Sequence, residues 1–158
     1  MAIRKIVIIG DELLRKKSKP VEKFDAKLHE LLDDMYESML YYDGIGISAV
    51  QIGVLRRCFI TEFDGKKYEF INPTIISQKG KNKYLVEGCL SVPGKSGPVE
   101  RPAVVVVEAY DRFGNKFIYE AKDYEAKAIC HEYDHLEGIL YVDKLANKKD
   151  QNKGKDNK

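Results

Sequence analysis

The sequence predicts an α+β fold, mostly antiparallel β-sheet packed around one late helix, and three observations predict it. Helix-period apolar spacing occurs near each end of the chain, strand-period segments fill the middle, and those strands come as hairpins without the β-α alternation of a parallel sheet. The 158 residues suit one compact domain, expected over 1–145, because domains of about 100 to 200 residues can bury a continuous core.

Each element has a local reason. In "FDAKLHELLDDMYESMLYYDG", Leu28, Leu31, Leu32, Met35 and Met39 share one helical stripe, with Asp25 as N-cap and Gly44 as the stop. His29 lies one step off that stripe, among Lys27, Glu30 and Asp33, as a surface histidine would. "RCFITEF" and "KYEFINP" flank Asp64-Gly65, a dipeptide that accepts the positive φ of a tight hairpin turn. A second hairpin pairs "AVVVVEAY" with "KFIYEA" around "DRFGN". Between the hairpins, "KYLVEGCLSVPG" begins as a strand and loses its pattern at Gly88, with Pro93-Gly94 closing it. Helical spacing returns from about Asp123 to Gly138. The charged segment 146–158 has almost no apolar residues and is expected to be disordered.

Composition excludes more than it assigns. Lysine plus arginine total 27 against 25 acidic residues, a net charge of +2, too weak a field to argue for nucleic acid or a membrane surface as partner. The N-terminal "IVIIG" is too short for a signal-peptide core or a spanning helix, so a soluble, cytoplasmic protein is expected. Three widely spaced cysteines, Cys58, Cys89 and Cys130, do not read as a disulfide scaffold; free thiols or a metal-bound thiolate suit them better.

The chemistry concentrates in "CHEYDHLEGILY", Cys130 to Tyr141. On a helix, residues four apart differ by about 40 degrees around the axis, so His131 and His135 can aim at one ion, and Glu132 projects toward water on that ion. The alternative is a solvated helix face with salt bridges among Glu132, Asp134 and Lys127. The extended pattern with a third histidine fails, because Tyr141 stands at that position. No acidic ligand is expected downstream, so the third ligand must come from upstream. Cys130 points about 100 degrees away from His131, and Cys58 sits in an apolar strand and reads as core. Cys89 remains, where a strand gives way to a glycine-containing loop that lets backbone approach a site. One thiolate and two imidazoles leave an ion an open position, as catalytic sites do. Tyr124, Lys127 and Ala128 lie seven, four and three residues before His131 and share its face.

Three motifs in order, "GIGISAVQ" at Gly44 to Gln51, "EGCLS" at Glu87 to Ser91 and "HEYDH" at His131 to His135, resemble those of the peptide deformylases, metalloenzymes that remove the formyl group from the initiator methionine of nascent bacterial and organellar proteins. The resemblance covers nearly the whole chain. It implies Cys89, His131 and His135 as metal ligands, Glu132 as catalytic acid and base, and Gln51 with the backbone N–H of Leu90 as donors to the carbonyl oxygen. It implies ferrous iron as the native ion, with zinc, nickel or cobalt able to replace it; thiolate and imidazole by themselves suit several metals. N-formylmethionyl peptides would lie against Gly44, Gly46 and Gly88, with Ile45 and Leu85 as apolar walls. Glu87 and Asp134 would orient the ligands or nearby Arg101.

The chain departs from the family pattern at Ser48, usually alanine, and Cys130, often glutamine. Lys127 stands at a commonly apolar position and Ser96 where many members carry arginine, so both bear on substrate preference. A short lysine-rich tail replaces the long helix by which some members touch the ribosome, leaving transient ribosome contact as an expectation. The rivals are a zinc endopeptidase, a closed metal-stabilised binding module and a catalytically silent relative.

Overall fold

The computed structural model describes residues 2–146; the segment expected to be a disordered tail lies outside them, apart from Ala146, whose N–H donates to Pro98 O at 2.9 Å. Helix α1 spans Ala26–Tyr41 and helix α2 Asp123–Leu136. Strands β1 (Gly46–Ser48), β2 (Cys58–Phe63), β3 (Lys66–Lys79), β6 (Val104–Tyr110) and β7 (Lys116–Lys122) form a five-stranded sheet in the order β1-β2-β3-β6-β7, while β4 (Asn82–Cys89) and β5 (Val92–Arg101) form a second sheet. Every pairing between these strands is antiparallel. Among the described residues no helix is long and apolar enough to cross a membrane.

Local chemistry accounts for most boundaries. Asp25 caps α1 through Oδ1, which accepts from Leu28 N at 3.1 Å. The Asp64-Gly65 turn has φ of 52° and 74° and aligns Phe63 with Lys66. Three expectations need correction. Helix α1 ends at Tyr41, before Gly44; Asp43, at φ 62°, makes the left-handed turn, and Gly44 N then donates to Met39 O at 2.9 Å. Strand β4 runs through Gly88 to Cys89, and the prolines and glycines of Val92–Arg101 do not prevent a strand. That β5 is an edge of a two-stranded sheet explains this, since proline's missing N–H costs nothing on an unpaired side. His29 is half-buried rather than a surface residue: its Nε2 meets Arg112 O at 2.9 Å and its ring packs edge-on to Phe113.

The five-stranded sheet is covered on both faces, and alternation along β2 shows how. Cys58 and Ile60 join Leu28, Leu32, Met35 and Met39 of α1, whereas Phe59 joins Ile129 and Leu136 of α2. The same period operates in β1. Ile47 faces the α1 cluster, so Gly46 and Ser48 face α2, and this orients the site.

Candidate active site

Three elements deliver the chemical groups. Helix α2 carries His131, Glu132 and His135, all buried. The end of β4 carries Cys89, and the 3-10 turn after β1 carries Gln51. The ligand atoms of Cys89, His131 and His135 lie within 4.8 Å of one another, and Cys89 Sγ stands 3.4 Å from His135 Nε2. The other cysteines are elsewhere: Cys58 Sγ lies 4.0 Å from Met35 Sδ, burial pushes its thiol up to about 12, and Cys130 packs in the α2 cluster.

His131 is held from behind, whereas the buried His135 Nδ1 has no hydrogen-bond partner among the described residues. Glu87 Oε1 meets His131 Nδ1 at 2.9 Å, which turns the other ring nitrogen toward the site. Glu87 is itself gripped by Arg101, Nε to Oε2 at 2.7 Å and Nη2 to Oε1 at 2.8 Å, while Arg101 Nη1 donates to Asp134 Oδ2 at 2.6 Å. Burial drives the His135 pKa well below the usual histidine value, helped by the His131 and Arg101 charges, and the neutral imidazole is the ligating form. Burial also opposes protonation of His131, but Cys89 and Glu87 outweigh it and raise that pKa to about 10, so ligation there releases a proton.

Glu132 is bracketed by β1. Ser48 Oγ lies 3.0 Å from Glu132 Oε1 and 2.9 Å from Glu132 O, and its one proton serves either. A Cβ on Gly46 would meet Glu132 Oε2 at 2.6 Å. Burial pushes the Glu132 carboxyl up to about 7, against the His131 charge and the Ser48 hydroxyl, so both of its protonation states are accessible at neutrality. Gln51 is oriented by its own turn: Oε1 accepts from Ser48 N at 2.9 Å, which turns Nε2 toward Cys89 Sγ at 3.5 Å and Ser91 Oγ at 3.2 Å.

These groups open onto a cleft of about 350 Å³ lined by Asp43, Gly44, Ile45, Gly46, Gln51, Glu87, Gly88, Cys89, Leu90, Lys127, Ala128, His131 and Glu132. A thiolate and two imidazoles fit a divalent transition metal, and the group stops at three ligands among the described residues, Glu132 excluded. The donor set thus fits a catalytic ion that keeps a position open. Comparison with known proteins agrees. The profile of the family described as polypeptide deformylase matches residues 3–151.

The chain belongs to the polypeptide deformylase family.

It is 54% identical over 145 residues to the peptide deformylase of Caldicellulosiruptor bescii, covering 92% of this chain and 87% of that one. It is 50% identical over 146 residues to peptide deformylase 1 of Clostridium acetobutylicum, covering 92% and 97%. The crystal structure of the Thermotoga maritima peptide deformylase superposes with a TM-score of 0.91 at 34% identity, covering 93% of this chain and all of that one. The chain is therefore a metal-dependent amide hydrolase that removes the N-formyl group from nascent polypeptides.

Within this deformylase, two residues named from sequence stand off the cleft wall. Tyr124 is 54% exposed in the first turn of α2; seven residues before His131 is two helical turns, about 10 Å along the axis. Leu85 sits four residues up β4 from Cys89, opposite Val99. Lys127 lines the cleft, yet its Nζ donates to Val86 O at 3.0 Å and lies 5.2 Å from the Tyr124 ring centre. Its methylene stem is thus left as wall while its head is tied off at β4. Ser96 pairs with Gly88 across the small sheet. Sequence reasoning missed Asp43 and Ser91, and it gave Ser48 no role beyond a departure from the family pattern; the strand that aims Ser48 at Glu132 is three residues long, too short for its period to be read from sequence.

Proposed function

We propose that Cys89, His131 and His135 hold one divalent cation, ferrous iron in the cell with zinc, nickel or cobalt as substitutes, and that Glu132 is the proton carrier of deformylation. A bound cation supplies a water acidified toward neutrality and positive charge for the carbonyl oxygen. Glu132 takes the proton of the attacking water and later gives it to the leaving amine, one carboxylate serving as base and then acid. The Gln51 amide and the Leu90 N–H donate to the formyl oxygen as it becomes anionic. Gly44, Ile45, Gly46, Gly88, Lys127 and Ala128 cradle the formylmethionyl unit, and formate leaves with a free amino terminus. The domain is 1–145, and the setting is the cytoplasm, in passing contact with the ribosome that presents the nascent chain.

What carries the reading is the convergence of three ligand atoms within 4.8 Å beside a buried carboxylate that is not one of them. Iron-loaded protein kept anaerobic should release formate from formyl-Met peptides, leave unformylated peptides uncut, and lose turnover on chelation until iron is restored. Formate release no faster than that of a Glu132→Ala variant would sink the proposal; cleavage of the unformylated peptides would make it an endopeptidase.

Two substitutions test the bracket around Glu132. Gly46→Ala puts a Cβ 2.6 Å from Oε2 and 3.1 Å from Cδ and Cγ, so Glu132, 4% exposed, must shift from its place against β1. We expect kcat to fall about 100-fold, the cost of roughly an ångström of misplacement, with metal content unchanged. Ser48→Ala removes the hydroxyl from Oε1. Because alanine is the usual residue there in the family, kcat and KM should each stay within about three-fold of wild type, read from steady-state formate release; a fall of about 10-fold in kcat would make the hydroxyl part of this chain's own hold on Oε1.

A further inference from the structure

The C-terminal turn of α1 exposes three large side chains in a row, Leu40 at 51%, Tyr41 at 65% and Tyr42 at 37%. The two tyrosine rings pack edge to face with centres 4.9 Å apart. Contiguous exposed apolar surface is uncommon unless something binds it, and this patch runs into the cleft. The next residues, Asp43, Gly44 and Ile45, line the cleft wall, and the Ile45 side chain is itself 52% exposed. The backbone folds tightly there, with Asp43 N donating to Leu40 O at 3.2 Å and Gly44 N to Met39 O at 2.9 Å. Consecutive Cα atoms are about 3.8 Å apart, so Tyr41 Cα lies within about 11 Å of Gly44 Cα.

A cleft of about 350 Å³ is at the low end for ligand sites. A peptide longer than its first residues must leave across the rim, and an extended chain advances about 3.3 Å per residue, so a chain that leaves over the Asp43–Ile45 side brings its third to fifth residues abreast of the patch. We propose that Leu40, Tyr41 and Tyr42 form an apolar shelf that binds apolar side chains of the substrate just downstream of its formylmethionine. This rests on the cleft being the deformylation site and adds a substrate class to it: nascent chains with apolar residues at positions three to five. Tyrosines suit the role, since rigid amphipathic rings offer contact area at little entropic cost, and Asp43 is the only acid among residues 40–45.

The test compares formyl-Met-Ala-Ser with two extensions, formyl-Met-Ala-Ser-Leu-Leu and formyl-Met-Ala-Ser-Ser-Ser, in the wild type and in Leu40→Ser/Tyr41→Ser. Half-burying a leucine side chain is worth roughly a five-fold change in affinity, so the wild type should show a KM about five-fold lower for the leucine peptide than for the serine peptide. The double variant should lose that difference while turning over formyl-Met-Ala-Ser as the wild type does. Equal KM values in the wild type, or discrimination kept by the double variant, would overturn the shelf. Calorimetric binding of the unformylated Met-Ala-Ser-Leu-Leu and Met-Ala-Ser-Ser-Ser reads the shelf without turnover, so loss of formate release throughout would count against the catalytic reading while binding still decided this one.

Discussion

Glu132→Ala should lower kcat for formate release by about 100- to 10,000-fold, the range over which positioned proton transfer contributes, with bound metal retained. The carboxyl is 4% exposed, raised to about 7 by burial, and held at Oε1 by Ser48, with Oε2 against Gly46. It stands outside the three-ligand group. Removing it therefore takes away the proposed proton carrier and leaves the thiol and both imidazoles in place. Glu132→Gln should be nearly as inactive, because an amide fills the same space without accepting the water's proton; comparing the two separates proton transfer from packing. The measurements are kcat, metal content by elemental analysis and the thermal midpoint. An alanine variant keeping more than about a tenth of wild-type kcat would remove Glu132 from the chemistry.

The parts of this site that could be read from sequence are those with a local code. His131, Glu132 and His135 are related by helical period alone, and α2 realises that period. The stripe Leu28, Leu31, Leu32, Met35 and Met39 and the Asp64-Gly65 turn are equally local, and both stand as expected. Cys89 is far from the helix in sequence, and it emerged by elimination of the two other cysteines and from the "EGCLS" motif, not from helical period. What stayed hidden depends on long-range pairing. Strand β5, built on Pro93, Gly94, Gly97 and Pro98, exists because β4 supplies its partner. The aim of Ser48 at Glu132 requires β1 to lie along β2. For Lys127 the helical period gave the direction of the stem, but the Val86 carbonyl that captures its ammonium belongs to another sheet.

Arg101→Met should destabilise the fold by about 3–5 kcal/mol, the usual cost of breaking a buried ion pair from one side. Arg101 is 3% exposed, and it bridges Glu87, 2% exposed, and Asp134, 8% exposed. Burial by itself would raise the Glu87 pKa, yet hydrogen bonds from Arg101 and His131 bring it down to about 2, so the carboxylate stays ionised and depends on its cations. Asp134 keeps Lys144, at 3.1 Å, whereas Glu87 keeps, among the described residues, the His131 ring. Freed of Arg101, Glu87 no longer fixes the imidazole, and losing such a supporting group typically costs about 10- to 100-fold in metal affinity. Urea denaturation of metal-loaded and metal-stripped protein separates the two effects. By linkage, a 10- to 100-fold loss of affinity adds about 1.4–2.7 kcal/mol of destabilisation in the loaded protein over the stripped one at saturating metal. An equal loss in both forms would make the Arg101 network structural only, with no hold on the ligand; an excess in the loaded form ties the arginine to His131 through Glu87.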